Sequence, residues 1–176
     1  MKRDLSHSAF LELAGKRFSC RKFNKRPVSS SKIDKILESA RLAPTACNKQ
    51  PVHIWALDSE EAMKRIRPIH TLFDAPAAFM VGCKRDEAWV RGYDGKNGAE
   101  TDAAIVGTHI ILAAADLELG CTWVGSFDPV KLAEAFPETQ GYEITALFAV
   151  GHPDADAVPS ERHSLRKSME EFVTKL

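Results

Sequence analysis

Arg17, Ser19 and Arg21 recur at every second position, the spacing that puts alternate side chains on one face of an extended segment. Two guanidinium groups and a hydroxyl on one face can grip a phosphate. Each charge-assisted hydrogen bond of that kind contributes about 1.5–3 kcal/mol. The alternation leaves Phe18 and Cys20 on the opposite, packing side. A second basic cluster, Arg162, His163, Arg166 and Lys167, stands near the other end of the chain, and in a helix Arg162 and Arg166 stack on one face. Basic runs are most often solvated surface, so the functional expectation is specifically that the two clusters meet. Between them, residues 43–51 form a polar turn with Pro44 and Pro51 near its ends. Thr45, Asn48 and Gln50 supply a hydroxyl and two carboxamides, which can read the edge of a flat heterocycle without adding charge. The plainer reading is a polar helix-to-strand connection.

The surrounding elements must hold these groups. Ile33, Ile36, Leu37 and Ala40 form the stripe of an amphipathic helix that Pro44 stops, with Ser31 and Asp34 spaced like a capping box. Residues 52–57 read as a buried strand, residues 60–67 as a short helix behind Ser59, and residues 77–83 as an interior strand. Ser6 or Ser8 caps a first helix ending near Gly15. Residues 100–119 give the longest helical pattern, apolar nearly all round, which needs cover on most sides, including from a partner subunit. Gly120 is its expected left-handed cap. Residues 121–125 and 144–151 are the remaining strand candidates, and Asp128 and Pro129 start a short helix between them. A charged helix is expected from Arg162 through Val173. Trp89, Tyr93 and the turn at residues 94–98 show no clear periodicity.

With 176 residues, 44% hydrophobic and 27% charged, the chain has material for one globular domain. Lys plus Arg and Asp plus Glu number 24 each, so no global field favours nucleic acid or an anionic membrane. Cys20, Cys47, Cys83 and Cys121 form no C-x-x-C pair and no metal spacing, which points to reduced thiols and no metal. Cys47 has no legible histidine partner that would make it a nucleophile. Ser6, His7, Ser8 and Glu12 interrupt any apolar run behind Lys2 and Arg3, so no signal peptide is expected. Thr108, His109 and Asp116 argue against a membrane span in the most apolar stretch. A soluble cytoplasmic protein is the expectation.

Arg17, Phe18, Ser19, Cys20, Arg21, Lys22 and Phe23, followed by residues 43–51, resemble the paired signature R-x-S-x-[RK]-x-F and A-P-[ST]-x-x-N-x-Q-P of the nitroreductase-like FMN-dependent oxidoreductase family. The likeness continues through Asp102 opening the long helix, residues 119–125, which are similar to the family's G-L-G-x-x-W-x-G, Gly151-His152-Pro153, and the basic C-terminal segment. It implies an α+β fold, a mostly antiparallel central sheet flanked by helices, in an intertwined homodimer with FMN at the interface. One domain would span residues 1–176, its tail at 152–176 reaching the partner. Carried over residue by residue, Arg17 and Ser19 would lie at the phosphate and ribityl and Arg21 at the pyrimidine edge, with Phe18 among the cofactor-binding residues. Pro44, Thr45, Asn48 and Gln50 would reach the flavin from the other subunit. Val124, Gly125 and Ser126 would face flavin N5, with Gly125 and Arg21 supporting chemistry that uses no catalytic side chain. Arg162, Arg166 and Lys167 would close on the phosphate.

Pro68-Ile69-His70-Thr71 departs from the Asn and Lys that some relatives carry there, which removes one expected contact to the ring. The resemblance implies tightly bound, non-covalent FMN, transient NAD(P)H as donor, and a ping-pong hydride shuttle to a nitroaromatic, quinone or similar small-molecule acceptor. No Gly-rich dinucleotide fingerprint occurs, so the donor would share the flavin pocket. A dehalogenase-like member, a non-enzymatic flavin-binding or interaction module, and a plain structural protein are the alternatives.

Overall fold

The computed structural model describes residues 8–176. Helix α1 (Ala9–Lys16) follows Ser8, whose hydroxyl accepts a hydrogen bond from the Leu11 N–H; Ser6, the alternative cap, lies outside the described residues. Helix α2 (Ser30–Arg41) buries Ile33, Ile36 and Ala40, the stripe expected from the sequence. Its cap is Ser29, and no side-chain capping bond forms, so the expected Ser31–Asp34 box is absent: both residues already lie inside the helix.

Four strands make one antiparallel sheet in the order β1 (Val52–Leu57), β2 (Ala77–Cys83), β4 (Glu143–Gly151) and β3 (Gly120–Val124). All seven residues of β2 are buried, as its unbroken apolar run requires. Strand β1, expected to be buried, is an edge strand with only Leu57 buried. Its His53 and Trp55 pack with Tyr142, with ring centroids 4.7–5.4 Å apart.

The long helix α4 (Ala99–Asp116) lies across one face of the sheet and against α2, burying Ala103, Val106, Gly107, Ile110 and Ala114. Gly107 is where helix and sheet touch: a Cβ there would stand 2.5 Å from Phe148 Cζ and 2.7 Å from Trp123 Cζ3. The opposite face is covered by α3 (Glu60–Ile66), by the turn at Leu72–Asp74 and by α5 (Pro129–Ala135), through Met63, Ile66, Leu72, Leu132 and Phe136. Asp128 caps α5 by accepting from the Val130 and Lys131 N–H groups, as its sequence promised.

Two further expectations change, and one turn is new. Glu118, at φ 58°, takes the left-handed position after α4, because Gly120 is already committed to β3. Leu72, Phe73 and Asp74 are all left-handed, which periodicity does not reveal. The tail is also not one helix. A single turn at Glu161–His163 and the four-residue α6 (Met169–Phe172) are separated by extended chain, so Arg162 and Arg166 do not share a helical face. Ser168 accounts for the break, since it opens α6 with its own capping box to Glu171. Among the described residues no helix is long and apolar enough to cross a membrane, and no cluster of side chains suits a metal ion.

Candidate functional site

Residues 17–21 leave α1 as extended chain and run parallel to the start of β3. Ser19 bridges Cys121, the Cys20 N–H donates to the Cys121 carbonyl at 3.1 Å, and the Thr122 hydroxyl donates to the Cys20 carbonyl. So close an approach needs Gly120, where a Cβ would stand 2.7 Å from the Cβ and Sγ of Cys20. Cys20 turns inward and is fully buried; burial pushes its thiol pKa up, and it does the same to Cys121. Neither thiol is a ready nucleophile.

The C-terminal arm returns to this segment. Lys22 pairs with Asp156, the Asn24 side chain donates to the Pro153 carbonyl, and the Asn24 N–H donates to the His152 carbonyl. His163 lies 3.1 Å from the Gly15 carbonyl through Nε2 and meets Phe18 edge to face. These contacts close a cleft of about 270 Å³ lined by Arg17, Phe18, Ser19 and Arg21 from one end of the chain and Ser160, Arg162, His163 and Arg166 from the other. Phe18 thus faces the cleft and does not turn to the packing side as simple alternation suggested. None of the eight is acidic, and none of the four arginines has a carboxylate within 4.0 Å among the described residues. Four arginines lining one cleft without a counter-charge among the described residues, together with two hydroxyls, make an anion site. Arg166 is held there by donating to the carbonyls of His163 and Leu165 at 2.6 and 2.7 Å.

Lys167 is exposed and does not line the cleft. Ser160 does, and nothing in the sequence marked it beyond its place two residues before Arg162. Arg21 extends toward Phe73, 6.0 Å from the ring centroid, on the left-handed turn that follows His70. Val124 ends β3 and is buried, and Gly125 and Ser126 follow the strand and are exposed.

Thr45 and Gln50 line a separate hollow of about 220 Å³ between α2, β1 and α4, with Leu37, Ala43 and Val106. Within the turn, the Gln50 N–H donates to Thr45 Oγ1 at 3.0 Å, the Asn48 N–H donates to the Thr45 carbonyl at 2.9 Å, and the Gln50 amide donates to the Asn48 carbonyl at 3.3 Å. Cys47, Asn48 and Gln50 all adopt left-handed φ of 51–52°. Pro44 and Asn48 are exposed. The two hollows share no lining residue, so one chain brings the two basic clusters together but does not bring the polar turn into the same cleft.

An antiparallel sheet flanked by helices, with an anion cleft beside edge strand β3 and a polar turn in a separate hollow, defines an α+β fold. The chain belongs to the Nitroreductase family, whose model matches residues 14–71 and 68–152. A nitroreductase family protein of known structure from Clostridium difficile is 33% identical, with a TM-score of 0.88 over 95% of this chain and 98% of that one. A protein from Methanothermobacter thermautotrophicus, provisionally named an NADH dehydrogenase/NAD(P)H nitroreductase, is 32% identical over 121 residues, 66% of this chain and 61% of that relative's length. A nitroreductase of provisional assignment from Exiguobacterium sibiricum, solved with FMN, shares the fold at 20% identity and a TM-score of 0.82, over 97% of this chain and 98% of that one.

Proposed function

We propose that this chain is a cytoplasmic FMN-dependent oxidoreductase that uses NADH or NADPH to reduce nitroaromatic, quinone or similar acceptors, working as a homodimer. The observation that carries the reading is the cleft of four arginines without counter-charge, in a chain of the Nitroreductase family. Its donor set fits a phosphate ester: Arg17, Arg162 and Arg166 offer planar, permanently charged forks, and Ser19 and Ser160 add hydroxyls. At about 270 Å³ it suits a phosphate and the start of a polyol chain, below the roughly 300–1,000 Å³ of a whole-ligand pocket. The ring must therefore lie outside the cleft. Arg21, which lines the cleft and also reaches toward Phe73, suits the electron-rich pyrimidine edge.

Two features support a site completed by a second subunit. The polar turn does not reach its own chain's cleft, and the tail presents Leu165, Met169 and Phe172 at 70%, 66% and 75% exposure. Residues 152–176 then embrace the partner, and one domain spans the chain. Pro44, Thr45, Asn48 and Gln50 meet the ring from the opposite subunit, while Val124, Gly125 and Ser126 border its reactive edge. When bound, FMN supplies the carrier that takes a hydride from the nicotinamide and passes electrons to the acceptor. The protein's own part is to fix the phosphate, orient the ring and leave one face open, so donor and acceptor take turns.

Adding NADH or NADPH anaerobically to FMN-loaded protein should bleach the yellow flavin band, and a quinone or nitroaromatic should restore it. A loaded protein that neither nucleotide bleaches would overturn this function.

A further inference from the structure

Asp102 sits in the first turn of α4 and is 2% exposed. The N-cap of α4, Gly98, contributes no side-chain capping bond, so the positive end of the helix favours a negative charge close by. The carboxylate does not cap its own helix. Its Oδ1 accepts the Ala46 N–H at 2.9 Å, across 56 residues of sequence. Its Oδ2 is sealed from solvent and has no hydrogen-bond partner among the described residues.

Every other hydrogen bond made by residues 45–50, among the described residues, stays inside the turn. The bond to Asp102 is the turn's one polar link to the scaffold. It meets the turn immediately before Cys47, Asn48 and Gln50, three residues with side chains held at positive φ. Such backbone is costly and persists only where the surroundings impose it. A neutral carboxamide would accept the same bond without leaving a buried anionic oxygen unpaired. A carboxylate makes the stronger, charge-assisted bond and holds the N–H end of the turn more firmly.

We propose that Asp102 is the positioning residue of the flavin site. It locks the turn in the shape that presents Thr45, Asn48 and Gln50 to the isoalloxazine, and it has no part in holding the phosphate. The inference rests on the functional reading above. Riboflavin, which lacks the phosphate, separates the two roles. Titrating the intact protein with FMN and with riboflavin should show Asp102→Ala weakening both by the same factor, about tenfold, the effect of one lost hydrogen bond to a charged group. Asp102→Asn keeps an acceptor for Ala46 without the charge and should weaken both by about threefold.

In cofactor-free protein, hydrogen exchange at the Ala46 amide should accelerate in both variants while exchange along β2 stays unchanged. If Asp102→Ala fails to fold, Asp102→Asn decides by the same measurements. Wild-type affinity for both flavins together with unchanged exchange at Ala46 would overturn the proposal, as would loss of FMN binding with riboflavin binding intact. Wild-type protein that binds neither flavin would overturn the functional reading and this inference with it. Flavin binding by the wild type, with the same affinity in both variants and unchanged exchange at Ala46, overturns this inference alone.

Discussion

The cleft between Arg17 and Arg166 is charged, open and assembled from both ends of the chain, whereas the turn at residues 45–50 is uncharged apart from Lys49 and tied to a buried carboxylate. On the proposed function, the cleft attracts its ligand by field and needs little backbone precision, since long arginine side chains adjust to a phosphate. The turn carries no long-range attraction and works only if its amides and hydroxyl are already in place. That is why left-handed backbone and a buried tether occur there and are not found among residues lining the cleft. On that reading, recognition of charge is left to flexible side chains and recognition of shape to fixed backbone.

The contrast is broken most forcefully at the anchor. Arg17→Ala combined with Arg166→Ala removes two charge-assisted contacts and should weaken FMN binding by about a hundredfold to ten-thousandfold, with riboflavin binding unchanged, as measured by titration calorimetry. Equal losses for both flavins would erase the division of labour. Gly120→Ala should come next. The added methyl meets Cys20 at 2.7 Å, which forces residues 17–21 off β3 and costs about 1–3 kcal/mol of stability. A lowered Tm with selectively poorer FMN binding is the expected result.

Thr45→Val removes the acceptor of the Gln50 N–H and should weaken FMN and riboflavin alike by about fivefold, near 1 kcal/mol. A loss confined to FMN would reverse the assignment of the turn. The smallest effect concerns His152, which helps hold the arm through its carbonyl. Burial, then Arg26 and Lys32, hold its pKa below the ordinary histidine value of 6.5. The fold favours the neutral ring, so stability is unaffected above about pH 6.5 and falls as pH drops from there toward the lower folded-state value. His152→Gln should flatten that acid limb in thermal melts.

Much of this was legible locally. The stripe of α2, the apolar run of β2 and the Asp128-Pro129 start of α5 are short-range patterns, and each element formed where its pattern stood. The edge position of β1 was not, because a run of apolar and aromatic residues reads the same in an edge strand as in a central one until the sheet order is known. Ser168 ended the expected tail helix through a capping bond that competes with periodicity. At the site, residue types flagged the two basic clusters and the turn, while their meeting depends on the order β1-β2-β4-β3 and on the returning arm. The bond from Asp102 to Ala46 links residues with no local relation. Asp102 stood out in the sequence only through family likeness.

Titration of the cofactor-free protein with FMN and riboflavin at two salt concentrations tests the anion cleft most directly. One FMN should bind per chain, far more tightly than riboflavin, and the gap between them should shrink as salt screens the arginines. Equal affinity for the two flavins at both salt concentrations would contradict it, because the four arginines would then contribute nothing to holding the cofactor.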